Sequence, residues 1–224
     1  MTRTATLSTP VKVTIAAGVL VVLLVVGAVI YSFASRPAAP DPAGAEGALP
    51  GTRANTHVLD EVGPDAPTLV EFLDFECEAC GAFYPVIEQL REEYDGEINF
   101  AIRYFPLPGH FNAMNAAIAV EAAAQQGQLE PMYSKMFQTQ EQWGEQQTSE
   151  EARFRSYAEE LGLDMATYDT AVADPSTRAR VEEDYNDARA LGASSTPTFF
   201  LDGQQLELTQ LTDLTDALDR AISD

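Results

Sequence analysis

The spacing of hydrophobic residues in the middle of the chain predicts a strand, a helix and a second strand. Residues 67–75 read PTLVEFLDF, a run that is too short for an amphipathic helix and typical of a buried strand. Apolar residues recur at helical spacing over 79–94, where Pro85 predicts a kink and Gly96 predicts the helix end. Residues 98–105 alternate as a second strand. Two strands joined by a helix predict a parallel β-α-β unit.

The next stretch, about residues 111–191, has helical spacing throughout and predicts an all-helical insertion. Its expected helices cover 112–126, 130–143, 149–161, 164–173 and 175–191. Residues 197–208 contain two β-rich runs joined by Asp202-Gly203, a strong signal for a two-residue hairpin. A last amphipathic helix is indicated by four apolar residues, Leu211, Leu214, Leu218 and Ile222. The predicted fold class is therefore α/β, ordered β-α-β, helices, β-β-α.

The N-terminal segment has the pattern of a membrane anchor. Residues 13–33 carry no charge and are long enough as a helix to cross a hydrocarbon core of roughly 30 Å. Arg3 and Lys12 precede this span, so residues 1–12 are expected in the cytoplasm and the remainder outside the cell membrane. Residues 34–55, rich in Pro, Ala and Gly, predict a flexible tether to a folded domain at 56–224. The alternative is cleavage near Ala34, which would release a secreted protein.

The charge balance narrows the classes of partner. The chain has 13 basic and 35 acidic residues, a formal net charge of −22. A nucleic acid requires clustered Lys and Arg, so we expect no nucleic-acid partner. The acidity is read as a well-solvated surface that keeps the domain soluble.

Candidate chemistry is concentrated in the two cysteines of the chain, Cys77 and Cys80. The first lies where the predicted strand passes into the predicted helix, and the unpaired N–H groups of a helix N-terminus favour a thiolate. We therefore expect Cys77 to be an accessible nucleophile. Cys80, one turn on, is placed to resolve a mixed disulfide, which is the minimum requirement for thiol-disulfide exchange.

Other uses of a cysteine pair fit this sequence poorly. A disulfide that closes so short a ring removes little chain entropy, so stabilisation is a weak reason for it. A zinc site needs four ligands, and His57 and His110 lie at no finger-like spacing from the cysteines. An iron–sulfur cluster would need more thiols. We expect no metal and no cofactor.

Three stretches together resemble the DsbA-like family of thioredoxin-fold disulfide oxidoreductases. They read VEFLDFECEACGAFYP, RYFPLPGHFNAMNAAIA and ALGASSTPTFFLDG, and the resemblance extends over about residues 69–222. It implies a thioredoxin fold interrupted by a helical subdomain. It also implies an enzyme outside the cytoplasm that oxidises the thiols of exported proteins and is reoxidised by a quinone-linked membrane partner.

The resemblance assigns roles to further residues. Pro197 matches the family's cis-proline, and the backbone of Thr196 before it is expected to pair with an extended substrate peptide. From the residues alone, the preferred interpretation of Pro197 is the start of an edge strand. Glu71 matches an acid on the strand leading to the motif, where burial would raise its pKa and let it exchange a proton with Cys80. The alternative is that Glu71 points to solvent.

The dipeptide between the cysteines departs from that of the most oxidising relatives. They carry a pair such as Pro-His, whereas this chain has Glu78-Ala79, which we expect beside the bound substrate. A carboxylate about 6 Å from a sulfur disfavours the thiolate by on the order of 1 kcal/mol. Cys77 is therefore predicted to be less acidic, and the couple less oxidising, than in those relatives. His110 is expected to cap or pack rather than to catalyse.

Three functions follow from these patterns. The first is a membrane-tethered oxidase that donates its disulfide to exported proteins. The second is a reductase or isomerase of the same fold, although such isomerases commonly need a dimerisation domain. The third is a chaperone-like binding module whose thiols are incidental.

Overall fold

The computed structural model describes residues 49–210 and 212–223. The strands are β1 His57–Asp60, β2 Thr68–Leu73, β3 Asn99–Tyr104, β4 Thr198–Leu201 and β5 Gln204–Gln205. The helices are α1 Glu78–Glu93, α2 Ala113–Ala124, α3 Leu129–Gln138, α4 Glu151–Glu160, α5 Met165–Ala173, α6 Pro175–Ala190 and α7 Thr212–Ser223, with a 3₁₀ helix at Gln140–Gln142.

The five strands form one sheet in the order β1-β3-β2-β4-β5. β2 and β3 are parallel, with Leu73 opposite Tyr104, as the β-α-β pattern predicts. β4 runs antiparallel to β2 and places Phe199 opposite Glu71. β2 is central and covered on both faces, which explains its nearly continuous apolar sequence. The fold class predicted from the sequence, a thioredoxin-like sheet with a helical insertion, is confirmed.

Alternate residues of β2 and β3 face two different layers of helices. On one face, Leu69 and Phe100 pack against α1 and α7 through residues such as Ile87 and Leu214. On the other face, Val70, Phe72, Ala101 and Phe200 of β2, β3 and β4 pack against α6, where they meet Ala188. Glu71 shares the face of Leu69 and Leu73, which is the side covered by α1.

A buried ionic cluster joins α6 to the sheet. Arg103 of β3 is fully buried and donates to Asp184 and, at 2.6 Å, to Asp187. Arg180 lies 2.5 Å from Asp184 across one helical turn. Asp187 also accepts from Arg53 at 2.7 Å. Because each buried charge has an opposite partner, the cluster fixes α6 on the sheet without leaving an isolated charge.

The helical insertion has its own core, which continues into the ends of β2 and β3. α2 is rich in alanine and buried along most of its length, so α3, α4, α5 and α6 pack closely around it. α3 ends at Gln138, five residues before the predicted end at Trp143. The chain tightens into the 3₁₀ helix there, which buries Trp143 completely and lets its ring N–H donate to the Met136 carbonyl.

Two local features complete the comparison with the predicted elements. The turn at Asp202-Gly203 has positive φ at both residues, 48° and 78°, so the predicted hairpin is confirmed, with a second strand of only two residues. β1 carries no such signal in the sequence. The four residues of β1, HVLD, are mostly half-exposed and pair antiparallel with β3. The hydrogen bonds to β3, rather than the side chains of β1, therefore define this strand.

Several predictions concern the N-terminal region. The segment 1–12 predicted to be cytoplasmic, the predicted span 13–33 and the predicted tether up to residue 48 lie outside the described residues, as does Leu211. No helix within 49–210 and 212–223 is long and apolar enough to cross a bilayer. Gly51 is buried against Phe72 and Phe200, so contacts with the domain begin several residues before the boundary expected at 56.

Candidate active site

Cys77 lies at the N-cap of α1, with extended backbone angles of −69° and 123°. β2 ends at Leu73, and Asp74 closes the turn that follows by accepting from the Glu76 N–H at 2.8 Å. The Cys77 carbonyl accepts from the Gly81 N–H at 3.0 Å and so closes the first helical turn. The sequence therefore places the first cysteine at the positive end of a 16-residue helix, as predicted.

The two thiols differ in their access to solvent. Both are free; Cys77 keeps 7% of its surface exposed, whereas Cys80 is fully buried. The Thr196 loop covers part of the first sulfur, which lies 3.5 Å from the Thr196 carbonyl oxygen. Cys77 is thus less open than the accessible nucleophile expected from the sequence. It remains the cysteine of the pair that keeps surface exposed to solvent.

The surroundings also separate the two thiols in acidity. A hydrogen bond from Cys80, helped by Thr196 and by the N–H groups of Ala79 and Cys80, lowers the pKa of Cys77 to about 5 against the opposing effect of burial. Burial, followed by the hydrogen bond to Cys77 and the charge of Glu71, raises the pKa of Cys80 well above its ordinary value. At neutral pH the pair therefore holds one thiolate and one thiol.

Glu71 is buried beneath α1, with 4% of its surface exposed. Burial, followed by the charges of Cys77 and Glu88, raises the pKa of Glu71 to about 8. This placement excludes the alternative in which Glu71 points to solvent. The group is a carboxylic acid at neutral pH, within the electrostatic reach of both cysteines.

The Thr196–Pro197 peptide bond is cis, as the resemblance implies. Pro197 precedes β4, which lies between β2 and β5, so the alternative of an edge strand does not hold. Thr198 closes the loop by donating to the Ser195 carbonyl at 2.7 Å.

Two residues beside the motif, Asp74 and His110, interact with the site more closely than the sequence pattern indicates. The Asp74 carboxylate accepts from the Leu107 N–H at 2.8 Å and from His110 Nδ1 at 2.6 Å. This hydrogen bond, with smaller effects of nearby acids and of Cys77, raises the pKa of His110 to about 9. His110 therefore carries a positive charge near the thiolate. The sequence signal for this pair is the position of Asp74 at the end of an apolar strand, where a buried carboxylate needs a hydrogen-bond partner.

Glu76 ties the segment before Cys77 to the insertion. It is almost fully buried, and its carboxylate accepts from the Asn112 N–H at 2.6 Å. The side chain of Asn112 in turn accepts from the Glu150 N–H at 2.9 Å and donates to two nearby carbonyls. Burial raises the pKa of Glu76 despite these hydrogen bonds.

Glu78 and Ala79 are exposed beside Cys77, where the sequence predicts contact with substrate. Glu78 lines an open groove of about 750 Å³ between α1 and the 3₁₀ helix, together with Gly81 and Gln140. One donor atom each of Glu78, His110 and Glu145 lies within 4.8 Å of the others. Two of these are exposed carboxylates, which are common at surfaces without an ion, and we assign no metal to them.

A Cys-x-x-Cys pair at a helix start, facing a cis-proline loop, defines the class of thioredoxin-fold redox proteins. Residues 63–220 match the family model described as Thioredoxin. The chain therefore belongs to the thioredoxin family, and its fold is that of the DsbA-like disulfide oxidoreductases.

Solved structures agree with this family. A thioredoxin-like oxidoreductase from Silicibacter pomeroyi DSS-3 has a TM-score of 0.64 and 27% identity, and the match covers 76% of this chain and 94% of that one. The α-DsbA1 protein of Wolbachia pipientis has a TM-score of 0.65 over 76% of this chain and 92% of its own. At 20% identity, the second likeness shows the fold alone.

A curated relative carries a different kind of name. The chain is 37% identical over 139 residues to the Na⁺/H⁺ antiporter NhaA of Herminiimonas arsenicoxydans. The match covers 62% of this chain and 21% of that protein. The chain thus spans about a fifth of that relative's length, and transport is a property stated of that protein.

Proposed function

We propose that this chain is a thiol-disulfide oxidoreductase that acts outside the cytoplasm and donates its disulfide to the thiols of exported proteins. The observation that carries the proposal is the geometry of the pair. Cys77 opens to solvent at a helix N-terminus, 3.5 Å from the Thr196 carbonyl, while Cys80 is sealed one turn behind it. This arrangement allows attack at one sulfur only, with the second sulfur held as leaving group.

The reaction would start from the oxidised form, with a Cys77–Cys80 disulfide. A substrate thiolate attacks Cys77 Sγ, a substrate–Cys77 bond forms, and Cys80 leaves as a thiolate. Glu71, protonated at neutral pH, would supply the proton that Cys80 then takes up. A second substrate thiolate attacks the substrate sulfur and releases Cys77. The substrate is oxidised by two electrons, and the protein is left as the dithiol.

The remaining parts of the proposal concern place and partners. The uncharged span 13–33 preceded by basic residues supports a single-pass anchor with the catalytic domain outside, or secretion after cleavage near Ala34. By family resemblance, a quinone-linked membrane protein would return the dithiol to the disulfide. The Thr196 backbone and the exposed Glu78-Ala79 would contact the substrate peptide.

The experiment combines two cysteine variants in cells that produce the full chain. Cys77→Ser should abolish oxidation of exported proteins, whereas Cys80→Ser should accumulate mixed disulfides through Cys77 that reductant releases. Trapping of thiols by alkylation should find the wild-type pair mostly oxidised at steady state. A pair found as dithiol would indicate a reductase, and full function of Cys77→Ser would indicate a binding module.

A further inference from the structure

Gln140, in the 3₁₀ helix of the insertion, reaches the active-site segment with its side-chain amide. Its Nε2 donates to the Phe75 carbonyl at 2.7 Å and to the Cys77 carbonyl at 2.8 Å. An amide nitrogen has two hydrogens, so both are used on this segment. The two carbonyls flank Glu76, and the amide therefore fixes the backbone that leads into the nucleophile.

The backbone of Gln140 is itself held in place. Its carbonyl accepts from the Gly144 N–H at 2.7 Å and from the Trp143 N–H at 3.1 Å. Trp143 is completely buried and packs edge-on against Phe154 of α4, with ring centroids 4.9 Å apart. The side-chain amide is thus attached to the rigid core of the insertion rather than to a loose surface loop.

Gly81, the residue after the second cysteine, leaves the room that this contact needs. A Cβ at position 81 would lie 2.0 Å from Gln140 Oε1 and 2.8 Å from its Cδ. Gly81 lies inside α1, where glycine is less favourable than alanine. Its presence is explained by the approach of Gln140, because alanine would displace the amide.

From these contacts we propose that Gln140 is a positioning residue for Cys77. It holds the Cys77 carbonyl, and with it the start of α1, so that the sulfur meets the Thr196 loop in a single geometry. The insertion would thus set the reactivity of a nucleophile that belongs to the thioredoxin core. The inference rests on the proposed function of the site.

The first test compares two variants on the same 3₁₀ helix in the full chain. Gln140→Leu keeps the size of the side chain and removes both donors, and the exposed Gln142→Leu is the matched control. With a model dithiol peptide as substrate, we expect kcat/KM to fall about tenfold in Gln140→Leu, equivalent to the net contribution of one to two hydrogen bonds, with the control unchanged. The pKa of the Cys77 thiol should also rise in Gln140→Leu and stay unchanged in Gln142→Leu.

The second test uses Gly81→Ala in two backgrounds. With Gln140 present, the added methyl group should displace the amide and lower kcat/KM as Gln140→Leu does. With Gln140→Ala, the methyl group meets no clash, and its helix propensity should raise the midpoint of denaturant unfolding. The proposal would be overturned if Gly81→Ala changed kcat/KM and the unfolding midpoint by the same amounts in both backgrounds.

The outcomes separate this inference from the function on which it rests. If the wild-type chain exchanges no disulfide with the peptide, the proposed function fails. If the wild type is active and Gln140→Leu matches it in kcat/KM and thiolate acidity, only the positioning role fails. A loss of stability in Gln140→Leu without change in these two quantities would also contradict the role.

Discussion

Carboxyl groups on either side of the β2 end serve opposite purposes according to their partners. The Asp74 carboxylate accepts hydrogen bonds from Glu76, Leu107 and His110, so its charge is compensated although it is buried. Within the described residues, Glu71 has no such donor, and burial therefore keeps its proton on at neutral pH. The Asp74 carboxylate stabilises the loop before Cys77, and the Glu71 carboxyl holds a proton beneath that loop.

Glu71 should make stability depend on pH. The folded dithiol protein holds the Glu71 proton up to a pKa of about 8, whereas the unfolded chain loses it near 4.5, so stability falls as pH rises between these values. Glu71→Gln should therefore stabilise the reduced protein by on the order of 2 kcal/mol or more near pH 9 and by little near pH 4.5. Denaturant unfolding across this range measures the effect.

The control for this prediction is Glu92→Gln, which changes an exposed carboxyl of α1, the helix that covers Glu71. It should be neutral at both pH values. Equal pH profiles for wild type and Glu71→Gln would mean that the buried carboxyl is already ionised.

Glu78→Gln tests the effect of the acid between the cysteines. Removing a negative charge beside Cys77 should lower the pKa of the Cys77 thiol by somewhat less than one unit and make the disulfide more oxidising. The ultraviolet absorbance of the thiolate and the redox equilibrium with glutathione measure the two quantities. An unchanged thiolate titration would show that hydrogen bonds to the sulfur outweigh this charge.

At the scale of elements, the ionic cluster around Arg103 decides how firmly α6 stays on the sheet. Arg103→Met leaves Asp184 and Asp187 buried with less compensation, so we expect a loss of about 3 to 5 kcal/mol in the free energy of unfolding. Arg155→Met breaks an exposed pair with Asp169 at 2.8 Å and should cost less than about 1 kcal/mol. Similar losses in both variants would contradict the assigned role of burial.

The elements recognised from the sequence are those whose side chains alone determine them. β2, α1 and β3 have clear apolar periods, and Asp202-Gly203 has the turn chemistry of its hairpin. β1 was missed because a short strand with half-exposed side chains is defined by its pairing with β3. The end of α3 was placed late because tertiary burial of Trp143 overrides the helical period.

At the scale of the whole molecule, the acidity of Cys77 should make the two redox forms differ in stability. The thiolate contribution is complete above the unfolded pKa of 9.0 and is lost as pH falls through about 5. At pH 7 the reduced protein should therefore be more stable than the disulfide form by about 1 to 2 kcal/mol, allowing for solvent screening. Paired thermal unfolding from pH 7 down to pH 4 should show this difference disappear.

The arrangement of the site was predictable only in part, and the division has a physical basis. Cys77, Cys80 and Glu71 are linked by one strand and one helix start, so local pattern places them together. The contacts of Gln140 with Phe75 and Cys77 join residues more than 60 positions apart, as does the approach of Thr196 to Cys77. Only the resemblance suggested the second of these, and nothing in the sequence suggested the first.

The narrow opening at Cys77 has a consequence for timing. Cys77 keeps 7% of its residue surface exposed, beneath the Thr196 loop, and such an opening admits a slender and extended stretch of polypeptide rather than the rounded face of a folded protein. A substrate thiol on the surface of a folded domain would not reach Cys77. In its proposed function, we therefore expect the protein to oxidise a substrate chain during export, before the substrate folds around its own cysteines.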